Sequence, residues 1–153
     1  GEIDASAFET TDWHTALREW ARSYRDVMSA HSELIGALAT VEVAESPRTV
    51  AMYEKVAAGL AAGGWPIASV VPLILTLESF IYGAAFNDHA PENVYDTGEL
   101  SDLAPTFARA VEAQRGRDLR AINHELFEIG FDAIVDQTAE RAGVPMPATT
   151  ASA

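Results

Sequence analysis

One carboxylate of this chain lies where the sequence predicts burial. Glu78 stands on the same helical stripe as Leu75, Tyr82 and Phe86, inside the most apolar segment of the chain. Burying an isolated charge is expensive, so this carboxylate must be paired, protonated or turned towards a cavity. Two interpretations stay open. Glu78 either pairs with an arginine or reaches an interface rim, or it anchors a ligand or a dimer contact.

A histidine and several aromatic side chains share the first apolar stripe. His31 follows Trp20 and Tyr24 along it, and it is interpreted either as a core histidine with satisfied hydrogen bonds or as a ligand contact. Aromatic side chains at helical spacing form cores, and in such numbers they also line apolar cavities that carry a few polar tips. The stripe therefore indicates either a filled core or a small-molecule site.

The sequence lacks the motifs of metal and nucleophilic catalysis. Its four histidines form no Glu-x-x-His or His-Glu-x-x-His motif, and the i, i+4 pair His124 and Glu128 is interpreted as a solvated helix face. There is no cysteine, no Gly-x-Ser-x-Gly and no Gly-rich phosphate loop after a strand. We therefore predict no catalytic residue, no metal site and no cofactor, and we expect that the protein is not an enzyme.

Helices must position these groups, because the apolar residues recur at spacings of three and four and no strand-like alternation appears. Asp12 is a predicted N-cap, Pro72 predicts a kink or a frayed first turn, and Arg18, Arg22 and Arg25 are predicted to be solvated. The fold class is all-α, a helical bundle of about five or six helices. The predicted units are Asp12 onwards, Ser46-Pro47 to Gly63-Gly64, Pro66 to about Asn87, Leu103 to Gln114 and Asp118 to Ala142.

The chain divides into three parts by composition. Residues 1–11 are predicted to be a flexible N-terminal segment, residues 12–143 a helical domain, and residues 144–153 a disordered tail. The uncharged run from Val56 to Leu77 is interrupted by Gly-Gly-Trp-Pro, which ends one helix and starts the next. A membrane span is therefore not expected.

The charge balance excludes one class of partner. The 153 residues carry a formal charge of −13, and no lysine or arginine occurs between Val56 and Ala108. Binding to DNA, RNA or an anionic membrane needs clustered basic side chains, so this chain is not expected to bind them by itself. No signal peptide is visible, and the absence of cysteine fits a cytoplasmic protein.

Four segments together resemble one family. The run from Asp12 to Arg18, followed by Tyr24-Arg25 and His31, resembles the first long helix of the ligand-binding domain in Tet-repressor (TetR) family transcriptional regulators. The end of the helix 54–64 and the segment 80–85 are similar to the helix end and the central helix of that domain, and 126–136 resembles its last helix. The order and spacing of the four segments carry the resemblance over about residues 10 to 143. Where the family often has His-Pro, this chain has His31-Ser32.

The resemblance implies a homodimer that binds a small-molecule effector. In this family the central and last helices of two subunits form a four-helix bundle, and a ligand inside each subunit shifts the helices that carry the DNA-reading heads. DNA would be bound only through an N-terminal helix-turn-helix domain, which is missing before Asp12. The implied interface residues are Phe80, Gly83, Ala84, Phe127, Gly130, Phe131 and Ile134. The implied ligand-binding residues are Trp20, Tyr24, His31, Met52, Tyr53, Val56, Thr76 and Glu78.

The leading hypothesis is the effector-binding and dimerisation domain of a TetR-type repressor, which binds a small, mostly apolar molecule that would release DNA in the full-length protein. If Glu78 faces the cavity, the ligand is expected to be cationic or to donate hydrogen bonds. Two alternatives remain. One is a helical dimerisation or interaction module without a ligand, and the other is a small helical enzyme that uses Glu78 and His31 as acid and base.

Overall fold

The part of the chain that the structure describes contains six α-helices, and the fold belongs to the all-α class, as the sequence predicts. The computed structural model describes residues 2–38, 43, 46–91 and 93–148, and this part of the chain contains no β-strand. The α-helices are α1 (Trp13–Ala30), α2 (Ile35–Leu38), α3 (Pro47–Ala62), α4 (Ile67–Asn87), α5 (Pro105–Glu112) and α6 (Leu119–Ala142). Short 3-10 helices occur at Ser6–Glu9, Ser32–Leu34 and Gly98–Leu103.

The helix ends are set by local hydrogen bonds. The Asp12 carboxylate accepts from the backbone N–H groups of His14 and Thr15 at the start of α1, and Asp118 accepts from Arg120 N–H at the start of α6. Ser46 caps α3, which begins with Pro47. Gly143 ends α6 in the left-handed region with φ of 69°, which a glycine adopts without strain. These ends confirm the predicted caps.

Helix α4 is the centre of the protomer. It packs on α1 and on α6, and more weakly on α3. Leu73, Leu77 and Ile81 of α4 are fully buried, together with Trp20 of α1 and Phe131 of α6. Close packing of these large side chains is the main source of stability for the domain.

One side of α4 is buried and the other is exposed and apolar. By length and composition α4 could cross a membrane, but the core helix of a globular domain meets the same criteria. Only 33% of its most apolar stretch is buried inside the protomer. The helix continues through Pro72, and the Thr76 hydroxyl donates to the Pro72 carbonyl at 2.8 Å.

Both ends of the described chain contact the helical core, and the flexible N-terminal segment and the disordered tail stay predictions. The 3-10 helix Ser6–Glu9 packs on α1 and α3, and Ala5 is buried against the core. Phe8 lies over Gly59 of α3, where the missing side chain makes room for the ring. After α6, Val144 is also buried, whereas the predicted tail beyond residue 148 lies outside the described residues.

Arg18 and Arg25 of α1 are largely withdrawn from solvent, which corrects the sequence prediction, whereas Arg22 is exposed as predicted. Arg25 is buried, with its guanidinium group 4.9 Å from the centre of the Phe127 ring, and it pairs with Asp88. Arg18 and Arg22 pair with acidic side chains of α6. The prediction was wrong for Arg18 and Arg25 because their acidic partners lie 63 to 114 residues further along the chain.

Candidate functional site

The Glu78 carboxylate is buried where α1, α3 and α4 meet. Its side chain projects from α4 and is 8% exposed. Oε1 accepts one hydrogen bond from the Tyr24 hydroxyl of α1 at 3.2 Å and a second, shorter one from the Tyr53 hydroxyl of α3. One carboxylate oxygen therefore joins three helices.

A third tyrosine extends this hydrogen-bonded group, which we call the tyrosine–glutamate cluster (Tyr24, Tyr53, Glu78 and Tyr82). The Tyr24 and Tyr82 hydroxyl oxygens are 2.8 Å apart, and their rings meet edge to face. Burial raises the pKa of Tyr24, Tyr53 and Tyr82 above the ordinary value of a tyrosine, and the negative charge of Glu78 adds to the rise. The hydroxyl groups therefore stay protonated and act as donors across the physiological range.

Apolar side chains surround the cluster. Trp20 lies edge to face with Tyr24 at a centroid distance of 5.4 Å, and its indole N–H donates to the Met52 sulfur at 3.1 Å. Val56 is fully buried on α3. Tyr53 and Tyr82 are only half-buried, so the cluster lies at the edge of the core and not at its centre.

The structure brings together six of the eight residues predicted to bind the ligand and separates two. Tyr24, Tyr53 and Glu78 are hydrogen-bonded, Trp20 contacts Tyr24 and Met52, and Val56 is buried on the same helix as Met52 and Tyr53. His31 is exposed at the end of α1, and Thr76 is exposed on α4. Ligand binding by any of these residues stays a prediction.

Neither of the two best-formed depressions in the described part of the chain reaches the cluster. One, of about 350 Å³, lies between α4 and α6, with Phe80, Gly83, Leu126 and Phe127 among its walls. The other, of about 380 Å³, is lined by Phe8, Trp13 and Gly63 and by residues 145–147 after α6.

The exposed side of α4 continues onto α6. Val71, Leu75 and Phe86 of α4 and Leu126 and Ile129 of α6 are each more than half exposed. We call these five residues the apolar face. Monomeric soluble domains rarely leave a contiguous surface of this kind uncovered. The apolar face is therefore a second candidate functional surface.

The residues predicted for the dimer interface fall into two groups. Phe127 and Phe131 are buried inside the protomer, at 2% and 0% exposed, so they support the helix that carries the apolar face. Gly83 is exposed, and the other four predicted residues, Phe80, Ala84, Gly130 and Ile134, are half-buried. The exposed residues of the apolar face were not predicted to lie in the dimer interface. The signal for them was that α4 is apolar on nearly every side.

Gly130 has a role within the protomer. A Cβ atom at this position would lie 2.5 Å from Cζ of Phe80, whose ring stacks on Phe127 at 5.3 Å. The glycine therefore lets α4 and α6 approach closely. Its predicted place in a dimer interface stays a prediction.

An ion-pair network that the sequence analysis did not recognise links α1 to α6. Glu128 accepts from Arg18 and Arg22 at 2.7 Å each, and Arg18 also pairs with Asp132. The hydrogen bond from Arg22, followed by that from Arg18, lowers the pKa of Glu128. The signal was the i, i+4 spacing of the two arginines on α1 and of the two acidic residues on α6. His124 is exposed, so its predicted solvation agrees with the structure, whereas Glu128 is paired.

Comparison with known proteins agrees with this architecture. Residues 7–136 match the family model described as "Tetracyclin repressor-like, C-terminal domain". No curated protein matches the chain in sequence. The matched range includes the three helices that form the tyrosine–glutamate cluster and all five residues of the apolar face. Domains of this family belong to regulatory proteins, and they generally bind ligands and dimerise. The chain therefore belongs to the family of tetracycline repressor-like C-terminal domains.

Proposed function

We propose that this chain is the effector-binding and dimerisation domain of a TetR-type transcriptional regulator. The observation that carries the proposal is the buried Glu78 carboxylate, which tyrosine hydroxyls hold at the junction of three helices. A buried charge of this kind weakens a fold unless a partner is bound, and perturbed polar groups in a largely apolar environment mark functional sites. The effector would be a small, mostly apolar molecule that enters among Trp20, Met52 and the cluster.

The helix contacts supply a route from such a site to the apolar face. An effector that displaces the Tyr53 hydroxyl would loosen α3 from α4, and one that displaces Tyr24 would move α1. Helix α1 is tied by Arg18 and Arg22 to α6, which carries two of the five residues of the apolar face. To shift the protein between two conformations, the effector must bind one of them more tightly than the other.

The reading frame upstream of Gly1 tests the function class. A basic helix-turn-helix domain encoded there would support the proposal, because this acidic chain would then be joined to a DNA-reading head. A domain of another class in that position would contradict it. The cytoplasmic location belongs to the same proposal, because a regulator of transcription must reach DNA.

The proposed dimer is formed by the apolar face. In it, α4 and α6 of one copy pack against the same helices of a second copy and bury the five apolar side chains. Light scattering at micromolar concentration should then give twice the 16.4 kDa of the chain. A mass of one chain at that concentration would contradict this part of the proposal.

Matched variants locate the dimer contact. Ile129→Glu places a carboxylate in the proposed contact and should produce monomers, because two copies would bury like charges next to each other. Leu103→Glu is the control, since Leu103 is 82% exposed, lies outside the apolar face and undergoes the same change of charge. Equal masses for the two variants would contradict the proposal that the apolar face forms the dimer interface.

A second candidate function is a dimerisation module without a ligand. This candidate is favoured because no residue of the tyrosine–glutamate cluster lines either of the two depressions described above. The two candidates differ in one measurable property: only the effector domain binds a small molecule at the cluster. The titration described in the next subsection measures that binding directly.

A further inference from the structure

The hydrogen bonds of Glu78 use only one of its two carboxylate oxygens. Both tyrosine hydroxyls donate to Oε1, and Oε2 accepts no hydrogen bond from any described residue. A carboxylate has about four acceptor sites, and charge-assisted hydrogen bonds are the strongest that it makes. Oε2 is therefore the one oxygen of this buried group that can still take a donor.

No cationic side chain neutralises Glu78. All ten lysines and arginines and all four histidines lie in the part of the chain that the structure describes, and none of them forms an ion pair with Glu78. Arg25, the buried arginine of α1, is used by Asp88. Because a buried carboxylate without a cation is destabilising, the missing positive charge is best supplied from outside the chain.

The surroundings of Glu78 suit an organic cation better than a metal ion. Divalent metal ions require several oxygen, nitrogen or sulfur ligands, and Glu78 is the only carboxylate in the cluster. No three His, Asp or Glu side chains of the described chain are placed to hold a metal ion together. In contrast, the Tyr24 ring meets the rings of Trp20 and Tyr82 edge to face, with centroid distances of 5.4 and 5.8 Å, and aromatic rings attract cations through their faces.

We propose that the tyrosine–glutamate cluster binds an apolar organic monocation, whose ammonium group contacts Oε2 of Glu78 while its hydrocarbon part packs against Trp20 and Met52. This inference rests on the proposed effector-binding function and names the chemical class of the effector. Anionic ligands are disfavoured by Glu78 itself. The ligand reaches Oε2 from the side of Tyr53 and Tyr82, the half-buried members of the cluster.

A titration followed at the tryptophan indole N–H groups tests this binding mode. The three indole signals of the ¹⁵N-labelled chain are recorded during addition of phenethylammonium, 2-phenylethanol or phenylacetate, which are similar in size and differ in charge. Trp20 reports on the cluster. Trp13, two turns of α1 away, meets Trp65 edge to face at 5.2 Å, and these two tryptophans serve as internal controls. Phenethylammonium should shift the Trp20 signal to saturation and bind at least about tenfold more tightly than 2-phenylethanol.

Two variants with the same net charge distinguish attraction of the cation by Glu78 itself from attraction by the overall negative charge of the chain. Glu78→Gln keeps an acceptor for both tyrosine hydroxyls and should abolish the preference for the cation. Glu54→Gln, at an exposed position next to Tyr53, removes the same charge and should leave the preference unchanged. Unaltered Trp13 and Trp65 signals verify folding. If Glu78→Gln does not fold, the comparison of the three probes on the unmodified chain decides the question.

The outcomes distinguish this inference from the function on which it rests. If 2-phenylethanol binds at Trp20 as tightly as phenethylammonium, the proposed preference for a cation is refuted, whereas the proposal of an effector site at the cluster is supported. If Glu54→Gln weakens binding as much as Glu78→Gln does, the attraction belongs to the overall charge and the inference fails. If no probe moves the Trp20 signal, the inference also fails, and the function class is still decided by the upstream reading frame.

Discussion

The hydrogen bond from Tyr53 to Glu78 makes a quantitative prediction about stability. Tyr53→Phe removes only the hydroxyl group that donates to Oε1. Hydrogen bonds to charged groups contribute about 1.5–3 kcal/mol, and the half-burial of Tyr53 places its contribution near the lower end, at about 1.5–2 kcal/mol. With an m-value of about 2 kcal/mol per molar urea, the unfolding midpoint should fall by about 0.7–1 M.

The control for this change is Tyr95→Phe. Tyr95 is 65% exposed and packs edge to face on Phe107, so the loss of its hydroxyl should change the free energy of unfolding by less than about 0.5 kcal/mol. Urea unfolding is measured at one protein concentration for all variants, because dimerisation makes apparent stability concentration-dependent.

A double-mutant cycle isolates the charge-dependent part of the bond. In the Glu78→Gln background the acceptor is neutral, so Tyr53→Phe should cost only about 0.5–1 kcal/mol. The expected coupling energy between positions 53 and 78 is therefore about 1 kcal/mol. A coupling near zero, or a Tyr53→Phe cost equal to that of Tyr95→Phe, would refute the view that Glu78 is held as a carboxylate by these hydroxyls.

Three further predictions concern packing and pH. Gly63→Ala should lower the free energy of unfolding by about 1–3 kcal/mol, since the new Cβ would lie 2.7 Å from Cβ of Trp13, whereas Gly36→Ala, with nothing within 4 Å, should not. Burial raises the pKa of the three cluster tyrosines in the folded state. Their contribution to the free energy of unfolding is therefore fully present below about pH 10 and is lost as the pH rises above it. Urea midpoints that stay level from about pH 8 to 12 would contradict this. The pKa of Glu128 is shifted the other way, below the ordinary value of 4.5, so the contribution of Glu128 to stability is present above pH 4.5 and disappears as the pH falls below it. Glu128→Gln should therefore flatten the acid limb of the stability curve, and an acid limb identical to that of the unmodified chain would exclude this contribution.

Several helix ends were predictable because capping is local chemistry. The Asp12, Ser46 and Asp118 caps use backbone groups two or three residues away, so the short sequence around each one is sufficient. Helix α5 was less well predicted. The predicted unit Leu103–Gln114 is in the structure the end of a 3-10 helix followed by Pro105–Glu112, because Pro105 starts a new helix at that point.

The burial of Glu78 was predictable, but its partners were not. The stripe on which the prediction relied was the wrong one, because Leu75 and Phe86 are exposed. Side chains three and four residues apart share one face of a helix, and Glu78 shares its buried face with Ile74, Ile81 and Ala85. The hydroxyl groups that it accepts from come from positions 54 and 25 residues earlier. The packing of the helices decides which side chains lie next to Glu78. Only the tertiary structure could therefore distinguish the two interpretations of this residue. The arginine pair, one of those interpretations, is absent from the described residues.

By itself the sequence determined the all-α class, the capped helix ends and the apolar stripes, because these follow from interactions within a few residues of one another. Its four motif segments also carried the family resemblance, which the match over residues 7–136 confirms. The tertiary structure alone decided that Arg18 and Arg22 of α1 pair with α6 and that Gly130 accommodates Phe80. It also decided which side of α4 is buried and which side remains as the apolar face. These features depend on how distant helices pack, and a periodic pattern defines the faces of a helix but not the partner of each face.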